Sequence, residues 1–142
     1  MGYISLKKRI KKNEGFSNKP YKDILGNTTI GYGHLIKKNE NFSYKNKLTK
    51  KSLTTIFNSD FNIALKNYKK KLYKKYHNNK DKELIIEMIF QLGIKNVENF
   101  KKMIFNLNQK NRHMVALEMM NSLWYKQTPK RVESLIKNYL KQ

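Results

Sequence analysis

Ten carboxylates stand among 142 residues, against 31 lysines and arginines. Two of them are close together and followed by a hydroxyl: Glu14-x8-Asp23-x5-Thr29, then Gly31-Tyr32-Gly33-His34. Breaking a glycosidic bond with water needs one carboxylic acid to protonate the leaving oxygen. It needs a second carboxylate to orient or activate the water. An acid at a helix end and another on a facing loop would aim both into one cleft. The same residues also fit plainer roles. Glu14 fits an ordinary helix-end acid, Asp23 an ordinary turn residue and Thr29 a strand residue. His34 fits a metal ligand, a general base or a structural group. His34, His77 and His113 lack ligand spacing, and there is no cysteine, so neither a zinc site nor a thiol nucleophile is expected.

The elements that must position these groups are legible in the pattern. Residues 3–13 read as a short amphipathic helix, with Leu6 and Ile10 on one side and lysines on the other. Residues 15–35 hold Gly15, Gly26, Gly31, Gly33 and Pro20, with the turn signal Leu25-Gly26-Asn27-Thr28. They read as a small hairpin or three-stranded sheet. Residues 36–47 are polar and read as loop. Leu53, Ile56, Phe57, Phe61, Ala64, Leu65, Tyr68 and Leu72 recur at three and four, predicting one long helix over about 49–75 with Thr49 near its cap. His77-Asn78-Asn79-Lys80 breaks the pattern. Asp81 is the expected cap of a buried helix over Glu83–Leu92, stopped by Gly93. Helices are expected at about 97–107 and 111–121, and a last one at 129–140 with Thr128 as cap and Pro129 at its first position. His77 and His113 read as surface residues and Trp124 as core.

The net charge of +21 draws the chain to polyanions. Nucleic acid is one such partner; anionic cell-envelope polymers are another. The Asn- and Lys-rich composition also suits a coding bias with no binding role. The densest run, Lys69-Lys70-Lys71-Leu72-Tyr73-Lys74-Lys75, would put lysine on several helix faces, which disfavours a groove-reading helix. No apolar run reaches the length of a membrane span, and the first twelve residues lack a signal-peptide core. The expectation is synthesis in the cytoplasm, with another protein releasing the chain for any work at the cell wall or in the periplasm.

Several ordered motifs carry a resemblance. Asn13-Glu14-Gly15-Phe16, Lys19-Pro20-Tyr21-Lys22-Asp23 and Thr29-Ile30-Gly31-Tyr32-Gly33-His34 resemble the active-site region of phage-type lysozymes, glycoside hydrolase family 24. Phe57-Asn58-Ser59-Asp60 resembles the family's long-helix segment, and Met88-Ile89-Phe90-Gln91-Leu92-Gly93 its buried helix. Ser122-Leu123-Trp124-Tyr125-Lys126-Gln127-Thr128-Pro129-Lys130-Arg131 resembles its C-terminal signature. The likeness runs from about residue 6 to 131.

The resemblance implies a two-lobed α+β fold in a single domain, residues 1–142. About 13–60 would form the lobe with the small sheet; helix 3–12 and about 61–142 would form the helical lobe. It implies an endolysin muramidase that hydrolyses the β-1,4 bond between N-acetylmuramic acid and N-acetylglucosamine with inversion. Glu14 would be the general acid, Asp23 would position the water and Thr29 would hold it. Relatives that cleave by transglycosylation lack the Asp, so Asp23 favours hydrolysis. His34 would be structural, paired with Asp60 between the sheet and the long helix, a pairing that would make stability pH-dependent. Leu35 and Phe90 would line the sugar cleft; Gln91 would hydrogen-bond there or be a plain polar residue. Arg131 would lie near Glu14 or be a routine first-turn residue. The chain departs from the family pattern in a shorter stretch between His34 and Asp60 and a short tail. Met103 and Glu118 replace a family Ser and Asn at substrate positions.

No cofactor or metal is implied. The partners implied are peptidoglycan glycan strands and, indirectly, a holin-type membrane protein for release, with the enzyme a monomer and no nucleic acid bound. A basic nucleic-acid-binding module and a catalytically dead wall-binding relative are the competing readings. The first explains neither the acid pair nor the glycine hairpin. The second is disfavoured by intact Glu14, Asp23 and Thr29.

Overall fold

A computed structural model describes residues 3–40, 42 and 48–141. Among these lie eight helices and one three-stranded antiparallel sheet, the α+β composition expected. The chain divides into two compact units, Met1–Ile63 and Ala64–Gln142. Part of the loop expected over 36–47 lies outside the described residues.

In the first unit, helix α1 (Ile4–Glu14) buries Leu6 and Ile10 to 1% and 0% exposure. Gly15, at φ 74, turns the chain out of the helix while its N–H bonds the Lys11 carbonyl at 3.0 Å. Strands β1 (Ser17–Lys22), β2 (Thr28–Gly31) and β3 (His34–Leu35) follow in that spatial order. The β1–β2 register slips between Ser17, opposite Gly31, and Tyr21, opposite Thr29. Pro20 lies inside that slip and has no N–H for the ladder. The Ser17 hydroxyl donates to the Lys19 carbonyl (2.6 Å) and accepts from the Lys19 N–H (3.3 Å), which folds the extra residues locally. The slip sets Tyr21 directly across from Thr29.

Helix α2 (Lys50–Lys71) begins where the Thr49 hydroxyl accepts the Ser52 N–H at 3.1 Å. Its first-unit positions Leu53, Phe57 and Phe61, four apart, are each 1% exposed. Lysines of α1 cover these rings. Lys7 Nζ lies 5.0 Å from the Phe61 centroid, and Lys11 Nζ lies 5.3 Å from Tyr32 and 5.1 Å from Phe57. Each such contact contributes roughly 0.5–1 kcal/mol, so part of the lysine excess packs its stems on aromatic surface. The helix ends at Lys71, short of the expected 75. The Leu72 and Tyr73 N–H groups both converge on the Tyr68 carbonyl, a 6→1 closure of the last turn.

In the second unit, helix α3 (Asn79–Leu92) starts four residues before the expected Glu83, and Asp81 is not its cap. Asn78 is: its Oδ1 accepts the Asp81 N–H at 2.9 Å, and Asp81 Oδ2 accepts the Asn78 N–H at 3.0 Å. The Asn pair that breaks the apolar period is itself the start signal, with the acid in the reciprocal position of a capping box. Asp81 also accepts from Lys110 Nζ (2.7 Å) and the Tyr139 hydroxyl (3.3 Å) while only 1% exposed. Leu84–Ile89 are buried throughout, and Gly93 ends the helix.

The helix expected over 97–107 is two, α4 (Ile94–Glu98) and α5 (Lys101–Asn108). Asn99 and Phe100 donate to carbonyls only three residues back, which tightens and ends the first. Helix α6 (Arg112–Met120) matches the expected 111–121. Helix α7 (Leu123–Gln127), capped by Ser122 through the Tyr125 N–H at 3.1 Å, is an additional element. Helix α8 (Pro129–Leu140) opens on Pro129, but Thr128 does not cap it. The Thr128 hydroxyl donates instead to the Trp124 carbonyl, closing α7.

His77 is likewise not a surface residue. It is 5% exposed, stacked on Tyr68. Its Nε2 lies 2.9 Å from Asn108 Oδ1 and its Nδ1 2.7 Å from the Tyr68 hydroxyl. An amide oxygen only accepts, so Nε2 carries a proton, and in the neutral ring Nδ1 accepts from the phenol. His113 is exposed, as expected.

The Asp81 cluster joins three segments through one buried carboxylate. Asp81→Ala should lower unfolding free energy by on the order of 3 kcal/mol, since it removes the reciprocal half of the capping box and leaves the Lys110 ammonium and the buried Tyr139 hydroxyl without this acceptor. Urea titration followed by circular dichroism measures this.

Candidate active site

Six of the candidate residues, Glu14, Asp23, Thr29, His34, Leu35 and Asp60, belong to the first unit. Glu14 is the last residue of α1, and its carboxyl lies against the turn between β2 and β3. A β-carbon built on Gly33 would meet Glu14 Oε1 at 2.4 Å and Cδ at 2.9 Å. No side chain fits there, and Gly33 also holds φ 77. The glycine therefore does two things: it makes the turn, and it lets the backbone approach the acid.

Asp23 follows β1 and is tied into the turn that leads to β2. Its Oδ1 accepts the Leu25 N–H (3.0 Å) and the Asn27 N–H (2.8 Å), while its own N–H donates to the Asn27 carbonyl (2.9 Å). This turn fixes the side chain through one oxygen, and Oδ2 makes no hydrogen bond to a described residue. Thr29 is 3% exposed, and its hydroxyl donates to the Asn27 carbonyl at 3.0 Å. That leaves the oxygen's lone pairs to accept from something else.

Tyr21 was not among the candidates. Burial raises its phenol pKa above the ordinary value, and the charges of Glu14 and Asp23 raise it further. Both carboxylates therefore act on one ring, which stands across the ladder from Thr29. The available signal was strand alternation: Tyr21 lies two residues before Asp23.

His34 is structural in its contacts and has one partner more than expected. Nδ1 lies 2.7 Å from Asp60 Oδ2, and Nε2 lies 2.9 Å from Glu40 Oε2. Ionised carboxylates only accept, so making both bonds at once takes the imidazolium form of the ring. The Asp60 hydrogen bond, opposed by burial and aided by Glu40, lifts its pKa above 6.5. Burial pushes the Glu40 carboxyl up, but the Lys37 N–H at 2.8 Å and the imidazolium bring it below its usual 4.5. Glu40 could have been suspected as one of few acids in the chain, but no period marks it. Leu35 pairs with Thr29 in the β2–β3 ladder and is 52% exposed.

The remaining candidates belong to the second unit. Phe90, Gln91 and Glu118 are half-buried. The Gln91 side-chain oxygen accepts the Trp124 indole N–H at 3.1 Å, so Gln91 anchors the core tryptophan and keeps its amide N–H groups for other use. Arg131 Nη2 lies 3.3 Å from Glu87 Oε2, a carboxylate with 0% exposure. Met103 is 1% exposed and is a core residue, not a surface contact. Among the described residues no group of three or more His, Asp or Glu could hold a metal ion.

The His34 clamp makes stability depend on pH in both directions. His34, with a raised folded pKa, contributes fully below about 6.5 and loses that contribution as pH rises through its folded value. Glu40, with a lowered one, contributes above about 4.5 and loses it as pH falls through its folded value. Thermal unfolding across pH should show a maximum between these limits, and His34→Gln should flatten it.

Three comparisons bear on what this arrangement belongs to. The family model described as phage lysozyme matches residues 11–139. "Probable T4-type lysozyme 2" of Dictyostelium discoideum is 31% identical over 156 aligned positions, covering 93% of this chain and 91% of that protein. "Probable T4-type lysozyme 1" of the same organism is 33% identical with the same coverage. The motifs around Glu14, Asp23 and His34, the sheet that presents them and these matches agree: the chain belongs to the phage lysozyme family.

Proposed function

We propose that this lysozyme hydrolyses the β-1,4 bond between N-acetylmuramic acid and N-acetylglucosamine in peptidoglycan with inversion, as an endolysin. The observation that carries the reading is the pair of acids held on one small sheet: Glu14 packed against Gly33 in the β2–β3 turn, and Asp23 pinned through Oδ1 in the β1–β2 turn, with Thr29 on the strand between them. Glu14 protonates the glycosidic oxygen. Asp23, pinned through Oδ1, offers Oδ2 to a water. Thr29 already donates its hydroxyl proton to Asn27, so it can only accept from that water. A water giving one hydrogen to Asp23 and one to Thr29 turns a lone pair toward the anomeric carbon, the orientation an inverting attack requires.

Leu35 and Phe90 supply apolar surface suited to pyranose faces. The Gln91 amide and Glu118 supply polar contacts to the sugars. His34 and Asp60 hold the sheet, and Arg131 pairs with the buried Glu87 within the second unit. The net charge of +21 speeds encounter with anionic wall polymers, an effect that salt weakens. Release to the wall falls to a holin-type membrane protein, and the enzyme acts as a monomer without cofactor.

Glu14→Gln should reduce clearing of purified peptidoglycan by about a thousandfold with the circular dichroism spectrum intact; undiminished clearing would refute the assignment. The fresh reducing end should be the α anomer by NMR, and a 1,6-anhydro product would assign transglycosylation instead. Gly33→Ala forces the Glu14 carboxyl from its place, so kcat should fall at least about tenfold with a much smaller change in KM.

A further inference from the structure

Helix α6 has an apolar outer face. Val115, Ala116 and Met119 point inward and are buried. The outward arc carries His113, Met114, Leu117, Glu118, Met120 and Asn121. Three of these six are large and apolar, with Met114 36%, Leu117 51% and Met120 42% exposed. Leu123, the first residue of α7, is 68% exposed and lies within about 11 Å of Met120 along the chain. A surface helix normally presents polar residues outward, so exposed Met and Leu side chains at three-residue spacing on α6, with Leu123 three residues further on, mark an interaction surface.

The charge around this ridge selects its partner. From Lys101 to Lys141 the chain has nine basic residues and two acidic ones, Glu118 and Glu133. Lys126, one turn beyond Leu123, is exposed, as is Lys130, seven residues beyond Leu123. A second copy would bring another +21 to the contact. A flexible Met and Leu ridge with lysines beside it matches a bilayer of anionic lipid, where ammonium groups meet headgroup phosphates and apolar tips enter the acyl boundary.

We propose that the α6–α7 ridge, Met114, Leu117, Met120 and Leu123, docks this protein on anionic membrane surfaces. This goes beyond the glycosidase reading, and its test contains no peptidoglycan.

The full chain is sedimented with vesicles of phosphatidylglycerol and phosphatidylethanolamine, and with vesicles of phosphatidylcholine alone. Binding is expected to the first and not the second. Part of it should persist at about 0.5 M salt, where lysine attraction is largely screened. The variant Met114→Gln/Leu117→Gln/Leu123→Gln keeps every lysine and should bind at least about tenfold more weakly. Should that variant fail to fold, Leu117→Ala and Leu123→Ala alone should each weaken binding about two- to threefold. Equal binding by folded variants would overturn the proposal, leaving lysine charge alone as the cause. So would absence of wild-type binding, or wild-type dimers in sedimentation velocity that the variant abolishes, which would make the ridge a self-contact.

Discussion

The imidazolium of His34 is the contact on which the first unit depends. Asp60 belongs to α2 and His34 to β3, so this ion pair fastens the last strand to the helix. Glu40 takes the other nitrogen and fastens the segment that leaves the sheet. Gly33 stands next to His34 in sequence, and Glu14 packs on Gly33. Leu35 and Thr29 are partners in the ladder, as are Thr29 and Tyr21. A shift of the β3 end would thus reach the acid at the end of α1 and the hydroxyl on β2 together. Holding the ring at both nitrogens removes rotation as well as translation, and so fixes the turn that receives Glu14.

Scarce carboxylates make such contacts conspicuous. In a chain of +21, one more exposed acid would relieve repulsion, so stability alone would favour more of them. Half of those present stand at defined structural tasks. Asp23 closes a turn, and Glu40 and Asp60 clamp a histidine. Asp81 completes a cap and binds Lys110, while Glu87 pairs with Arg131 in full burial. A buried carboxylate needs its partners because desolvation is costly without them.

The fold was legible where local chemistry dominates. Leu6 and Ile10, the four-residue spacing from Leu53 to Phe61, and the glycines around Thr28–Ile30 each state a period or a turn, and the elements lie where they point. Glu14 and Asp23 were legible because a helix end and a turn are local features. What escaped depends on distant partners. His77 stands in a polar turn that looks solvated, yet Asn108, thirty-one residues later, takes its ring nitrogen. Glu40 lies in a stretch with no period and is defined by a strand before it. The Asn78 cap looked like a break, because a cap and a break use the same residues. Gln91 had two readings, and a tryptophan thirty-three residues away decides the use of its oxygen.

Long-range charge and short-range contact divide the remaining work. Lysine attraction extends only about 8 Å at physiological salt and has little directional content. The run Lys69–Lys75, exposed everywhere except Leu72, can draw the protein toward any polyanion without choosing an orientation. Orientation needs groups whose energy changes over a few ångströms. In the first unit these are Glu14 against Gly33 and Asp23 locked into its turn. In the second, three of the outward side chains of α6, Met114, Leu117 and Met120, are apolar where charge would have been easiest to place. A lysine excess that arose from coding bias would still act on encounter, because Coulomb attraction does not depend on how a charge was acquired. It could not by itself create the pinned carboxylate or the apolar ridge, which require particular residues at particular positions.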